Sequence, residues 1–240
     1  MAPKTTARPD RGHARPQRPP NSEAIEDYAK AIYALQRRGE GAVGTSRLAQ
    51  RLGVTPASAT AMLKRLDGLG LVRHRPYHGV ELTPAGERVA LEVIRHHRLL
   101  ESYLSEALGM PWDRVHAEAE VLEHHISEEL EALIAAKLGD PSHDPHGDPI
   151  PRADLSAPGE GADAPLAEVK AGATVTFTRV SDSDPAMLRY LDERQIHPGA
   201  EITVTGRQPF GGPLLIEVEG REHALGEQLV RRMRVAGASR

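Results

Sequence analysis

At 240 residues the chain can hold one large domain or several small ones, each with material for a core. It contains no cysteine, which excludes a disulfide framework, a thiolate metal site and a cysteine nucleophile. The formal net charge of −4 is the sum of +8 over residues 1–100 and −12 over residues 101–240, and a basic front half joined to an acidic rear half suggests a polyanionic partner at the front.

Residues 1–22 carry Pro and Arg and almost nothing apolar, so they are expected to form a disordered basic tail rather than a cleavable leader. No apolar run approaches the ~18 residues needed to span a bilayer, and a cytoplasmic protein with no membrane partner is expected. A helix can start at Ser22 as N-cap and carry an apolar stripe of Ile25, Tyr28, Ala29, Ile32, Tyr33 and Leu35. Asp27 lies on it.

The stretch GTSRLAQRLGVTPASATAMLKRLDGLGLV, residues 44–72, reads as helix, tight turn, helix. Thr45 or Ser46 would cap the first helix, Gly53 and Val54 would make the turn, and Thr55 with Pro56 would open a second helix burying Ala59, Met62, Leu63 and Leu66. After Gly70, LVRHRPYHGVELT reads as strand, turn and strand, so the whole is a winged helix-turn-helix. Thr45, Ser46, Thr55, Ala57, Ser58, Thr60, Ala61 and Lys64 would face double-stranded DNA. Small and polar residues there let a helix sit deep in a major groove; with no bidentate Arg, Asn or Gln reader in the first turns, specificity would rest partly on DNA shape.

Residues 95–131, RHHRLLESYLSEALGMPWDRVHAEAEVLEHHISEELE, read as two helices broken at Gly109, Met110 and Pro111. On the second, His116, Glu120, Glu123 and His124 fall at i, i+4, i+7 and i+8 and would share a face; on the first, His97 and Glu101 are one turn apart. Imidazole and carboxylate suit Mn, Fe, Co, Ni or Zn, although on one helix alone a Glu/His-rich run is more often only a solvated face. The complementary stripe of Leu99, Leu100, Leu104, Leu108, Val115, Val121, Leu122, Ile126, Leu130, Leu133 and Ile134 suits a core or a helical homodimer interface.

Residues 140–167 are rich in Pro, Gly and Asp and read as a linker; His143, Asp144, His146 and Asp148 could be taken for a metal cluster, but a loop would hold ligands poorly and they are read as linker residues. Beyond them, TVTFTRV, AEITVTG, PLLIEVEG and the region from His223 to Leu225 read as short strands around a helical DPAMLRYLDERQ, a small barrel.

The pieces EDYAKAIYAL, the helix-turn-helix, LTPAGERVA, RHHRLLESYL, VHAEAEVLEHHISEEL and HGDPIP, in this order, resemble the diphtheria toxin repressor (DtxR/MntR) family of metal-activated transcriptional repressors. The resemblance implies an α+β multidomain chain: a winged helix-turn-helix over 23–91, a helical dimerisation and metal-binding domain over 92–140, a linker over 141–167 and an SH3-like (FeoA-like) domain over 168–240. It implies two metal sites per subunit. The primary site would use Asp27, Glu120, Glu123 and His124, and the ancillary site His97, Glu101 and His116. Iron-type members place a Met and a Cys where this chain has Asp27 and Glu120; oxygen donors without sulfur suit Mn²⁺ first and Fe²⁺ second.

Two departures from the family pattern matter. Manganese-type members without a third domain supply another carboxylate one turn after the first-helix Asp, where this chain has Lys30, so a close two-metal cluster is not expected. Third-domain residues that complete the ancillary site fall in RVSDSD, which lacks the usual Glu and Gln and leaves Asp182 or Asp184. The expected protein is thus a dimeric metal-dependent repressor of metal uptake genes, not an enzyme and without a small-molecule substrate. A metalloenzyme has no HExxH helix, serine elbow or phosphate loop to support it, and a metal-independent DNA-binding protein would leave the Glu/His faces merely solvated.

Overall fold

The structure is a computed structural model that describes residues 22–75, 78–157 and 163–237. The basic tail therefore lies outside the described residues, as does the wing tip at Pro76 and Tyr77.

Helix α1 spans Ser22–Leu35, α2 Thr45–Arg51 and α3 Pro56–Gly68, and strands β1 (Val72–Arg75) and β2 (Gly79–Leu82) form the wing. They close over a core of Tyr28, Ile32, Leu48, Leu63, Leu66, Val72 and Val80. Pro56 and the Thr55 hydroxyl, which accepts a 3.1 Å hydrogen bond from the Ser58 N–H, start α3 as expected. Gly53 turns the chain between the two helices at φ 64°. The cap of α2 differs from expectation: Gly44 is its N-cap, and neither Thr45 nor Ser46 caps it.

Helix α4 runs unbroken over Pro84–Glu106, about 35 Å at 1.5 Å per residue, and packs against α1, β2, α5 and α6. It is thus the shared spine of the DNA-binding and dimerisation units. Gly109, at φ 67°, ends it, and α5 spans Trp112–Leu122. The second expected helix is in fact two. Glu123 is the C-cap of α5, the chain turns over His124–Ile126, and α6 spans Glu128–Leu138 with Ser127 as its N-cap, accepting from Leu130 N–H at 3.2 Å. Glu123, its N–H still bonded to the Ala119 carbonyl at 2.9 Å, closes the α5 spiral, and His124 lies in the turn beyond it instead of continuing its face.

Residues 140–152 form ordered structure. Asp144 accepts from the backbone N–H groups of His146 and Asp148, both at 2.9 Å, and Ile150 is buried beneath α4 with Leu99 and Ile134. The last unit consists of β3 (Ala164–Pro165), β4 (Thr174–Val180), α7 (Pro185–Asp192), β5 (Glu201–Arg207), β6 (Leu214–Val218), β7 (Arg221–Leu225), α8 (Glu227–Val230) and β8 (Met233–Ala236). Its antiparallel sheet has the order β3-β8-β4-β5-β6-β7 over a core of Phe177, Leu188, Leu191, Ile202 and Ile216.

This unit docks on the dimerisation unit. Trp112 of α5 joins its core, the Val180 N–H donates to the His146 carbonyl at 3.0 Å, and Arg189 pairs with Asp113 at 3.0 Å. Among the described residues no helix is long and apolar enough to cross a membrane.

Candidate metal centre

The primary cluster forms where α1 meets the end of α5. The ligand atoms of Asp27, Glu123 and His124 lie within 4.8 Å of one another. His124 Nε2 is 3.0 Å from Asp27 Oδ1 and 3.5 Å from Glu123 Oε1, and the Glu123 side chain is fully buried. His124 Nδ1 faces Glu26 Oε2 at 2.6 Å, so Glu26 sets the ring and leaves Nε2 for the cluster. Burial works to lower the His124 pKa, but hydrogen bonds to Asp27 and Glu26 and the field of Glu123 outweigh it and push it up to about 10.

Glu120 sits apart from Asp27 and His124; its ligand atom groups with those of His97 and Glu123. The Lys30 ammonium lies in the middle of that group, 2.7 Å from Glu120 Oε1, 2.7 and 2.9 Å from the two oxygens of Glu123 and 3.3 Å from His97 Nδ1. Burial would lower the Lys30 pKa, yet Glu123 and Glu120 raise it on balance, so the group is a fixed cation.

The ancillary cluster gathers His97, Glu101, His116 and Asp182. His97 Nε2 is 3.0 Å from Glu101 Oε1 and 3.1 Å from His116 Nδ1; the latter nitrogen is 3.1 Å from Glu101 Oε1 and 3.0 Å from Asp182 Oδ2. Asp182 is thus the third-domain acid at the cluster, whereas Asp184 caps α7 by accepting from the Ala186 N–H at 3.0 Å. Hydrogen bonds to Asp182 and Glu101 push the His116 pKa up to about 10. His97 touches both clusters, its Nδ1 lying 2.5 Å from Glu123 Oε2.

Asp144 and His146, expected to be linker residues, are buried and form a further group with Glu101. His146 Nε2 donates to the Trp112 carbonyl at 2.8 Å and its Nδ1 points at Glu101 from 3.7 Å. The Pro-rich sequence around them signalled a connection and hid the burial, although Asp-x-His under a docked domain is a donor pattern. Burial opposes protonation of His146, but Glu101 and Asp144 raise its pKa to about 9. For Glu101 burial is outweighed by the surrounding imidazoles, which hold it well below its usual range. His143 and Asp148 do not join the group; Asp148 pairs with Arg179 at 3.2 Å.

The donor chemistry fits a divalent cation. Glu101 Oε2 and His146 Nδ1 are buried without hydrogen-bond partners, an oxygen and a nitrogen of the types that divalent cations take as ligands. The contrast is Glu92, His96 and Glu128, also closely grouped. There both His96 nitrogens are engaged, by the Glu123 carbonyl at 3.1 Å and by Glu131 at 3.0 Å, which makes that imidazole structural.

Of the residues expected to face DNA, Ser46, Thr55, Ala57, Ser58, Ala61 and Lys64 are exposed and Thr45 is half-buried. Thr60 is also half-buried and its hydroxyl donates to the Pro56 carbonyl at 2.8 Å.

A winged helix-turn-helix tied through one helix to imidazole–carboxylate clusters and a β-domain defines a metal-responsive DNA-binding protein. Three family models match in register: "Iron dependent repressor, N-terminal DNA binding domain" over residues 21–80, "Iron dependent repressor, metal binding and dimerisation domain" over 83–152 and "FeoA domain" over 164–236. The iron-dependent repressor IdeR of Mycobacterium tuberculosis is 32% identical over 212 residues, covering 84% of this chain and 91% of that protein. The diphtheria toxin repressor of Corynebacterium diphtheriae is 27% identical over 222 residues, covering 89% and 96%. A solved manganese-dependent transcriptional repressor in complex with manganese superposes with a TM-score of 0.80 at 41% identity, covering 88% of this chain and 98% of that one. The chain belongs to the iron-dependent repressor family, that of the diphtheria toxin repressor, whose members are iron- or manganese-dependent transcriptional repressors and not enzymes.

Proposed function

We propose that this chain is a manganese-responsive repressor that binds operator DNA as a homodimer when metal-loaded and controls metal uptake genes. The observation that carries the reading is the meeting of Asp27, on the first helix of the DNA-binding unit, with Glu123 and His124 at the end of α5. The primary centre is built from these three with Glu120 beside them. The ancillary centre is built from His97, Glu101, His116 and Asp182, with His146 and Asp144 as the neighbouring buried donors.

A bound divalent cation supplies the positive charge that lets these carboxylates share one site. Asp27 is the residue that converts local binding into a change of arrangement, because it alone of the primary set belongs to the DNA-binding unit. Drawn toward Glu123 and His124, it fixes α1 on the dimerisation helices and so sets the spacing of the two α3 helices of a dimer against successive major grooves. On α3, Thr55, Ala57, Ser58, Ala61 and Lys64 then contact phosphates and base edges, with Thr45, Ser46 and Thr60 at the margin. His97, shared between the clusters, transmits the state of one centre to the other.

The sulfur-free donor set favours Mn²⁺, and the solved manganese-dependent relatives are consistent with it. Fe²⁺ is the second reading, favoured by the iron-dependent relatives of known sequence. The test is binding to the DNA upstream of the chain's own and neighbouring genes, titrated with Mn²⁺, anaerobic Fe²⁺ and Zn²⁺ against a chelated control. Mn²⁺-dependent binding that Asp27→Ala abolishes supports the reading. Preference for Fe²⁺ changes the effector, and binding indifferent to metal overturns the sensor altogether.

A further inference from the structure

Lys30 stands where a sensor built on carboxylates would gain from another acid. Its ammonium touches every member of the group formed by His97, Glu120 and Glu123, at 2.7 Å from each carboxylate and 3.3 Å from the imidazole. Glu123 is fully buried and Glu120 half-exposed, so the pocket is closed on the Glu123 side and open to water on the other. These are the contacts a metal ion would make, and a tethered ammonium makes them here. Lys30 sits on α1, one turn after Asp27, so the cation is delivered from the same helix that supplies the first primary donor.

We propose that Lys30 is the resident cation of the His97–Glu120–Glu123 subsite, and that it limits the primary centre to a single divalent ion held by Asp27, Glu123 and His124. This deepens the metal-sensor reading and rests on it. Glu123 is then a bridge, one carboxylate shared by the ammonium and the exchangeable ion. Glu120 belongs to Lys30 rather than to that ion. Three acids and one ammonium also give the primary region a smaller negative charge than three acids alone, so less cationic charge is needed to complete it.

An ordinary structural ion pair would produce the same distances, so the test must read ion count. The full-length protein is saturated with Mn²⁺, its bound metal counted by equilibrium dialysis and its spin state followed by electron paramagnetic resonance. The wild type is expected to show no exchange-coupled pair. Lys30→Gln removes the charge and leaves a neutral side chain of related length. It is expected to take up one further Mn²⁺ per subunit and to show the coupled signal of two ions about 3.5–4 Å apart across a shared carboxylate. Lys30→Arg, which keeps the charge, is expected to bind the wild-type number.

An unchanged count in Lys30→Gln overturns the proposal. So does a coupled pair in the wild type, an outcome that needs no variant to fold. Failure of the metal-sensor reading is distinguished by Asp27→Ala: a full wild-type count in that variant removes Asp27 from the centre whatever Lys30 does.

Discussion

Glu26 and Asp27 are neighbours in the chain yet hold opposite nitrogens of one imidazole: Glu26 Oε2 lies 2.6 Å from Nδ1 of His124, and Asp27 Oδ1 lies 3.0 Å from Nε2. The first contact fixes the ring so that the second faces the cluster. Glu26→Gln keeps a hydrogen-bonding side chain but weakens the hold on the ring and lowers the basicity of Nε2. Removing such an outer partner typically costs about 10–100-fold in metal affinity. We expect Mn²⁺ affinity at the primary centre to fall within that range, with the count at saturation unchanged. Competition against a chelating dye measures it, and unaltered affinity would show that Glu26 only pairs with His124.

The sequence singled out Asp27 on the first helix and passed over Glu26, whose partner lies 98 positions away. The difference between what spacing fixes and what packing fixes recurs along the chain. Thr55-Pro56, Gly53 and the alternation of the wing are local signals, and α2, α3, β1 and β2 fall where they place them. Helical spacing also put His97 and Glu101 together. It failed at His124, because Ser127 and the acids after it start a new helix, a signal present in SEELE that the longer Glu/His pattern overrode. Asp144 and His146 were visible as donor types and set aside for a different reason: the rigidity a loop lacks comes from their burial, where the β-domain packs against a Pro-rich segment, a contact between parts distant in sequence.

The raised histidines give a signed pH dependence. In the metal-free fold His116 and His124 have pKa values of about 10 and His146 about 9, against 6.5 when unperturbed. Hydrogen bonds to Asp182 and Glu101 are the main cause at His116; at the other two, carboxylate partners overcome burial. Folded values above unfolded ones stabilise the metal-free protein fully below about pH 6.5, and that contribution is lost as pH rises through the folded pKa values. Metal must displace the same protons, so its affinity rises over the same window. The thermal shift produced by saturating Mn²⁺ should therefore grow from pH 6.5 to 9. A shift independent of pH would mean that these imidazoles carry no proton in the metal-free state.

Leu108, Val121, Leu130 and Leu133 were expected in a buried stripe, but in the single chain they are 62%, 64%, 45% and 62% exposed. Exposed apolar side chains at the α4–α5 turn, on α5 and on α6 of a dimerisation unit suit a second surface. Burying one Leu is worth about 1.5–3 kcal/mol, and a two-fold interface counts it twice, so Leu133→Asp should weaken the dimer by at least ~100-fold. Sedimentation velocity on the metal-loaded protein reads this directly. A dimer of unchanged strength would place the interface on another face.

The docking of the β-domain turns on Gly147. At φ 87° it occupies a conformation that side chains rarely adopt, and a Cβ there would lie 1.9 Å from the Thr178 carbonyl oxygen and 2.8 Å from Arg179. The neighbouring His146 carbonyl accepts from the Val180 N–H at 3.0 Å, so the approach is backbone to backbone and has no flexible side chain to give way. Gly147→Ala therefore strains the turn by roughly 1–3 kcal/mol and pushes β4 outward. Asp182, two residues past the end of β4, would be carried away from His116, which costs the ancillary centre its third-domain acid. We expect a lower melting temperature and loss of affinity at the ancillary centre while the Asp27 centre keeps its own. Retained ancillary affinity together with the lower melting temperature would show that Asp182 contributes to docking but not to the metal.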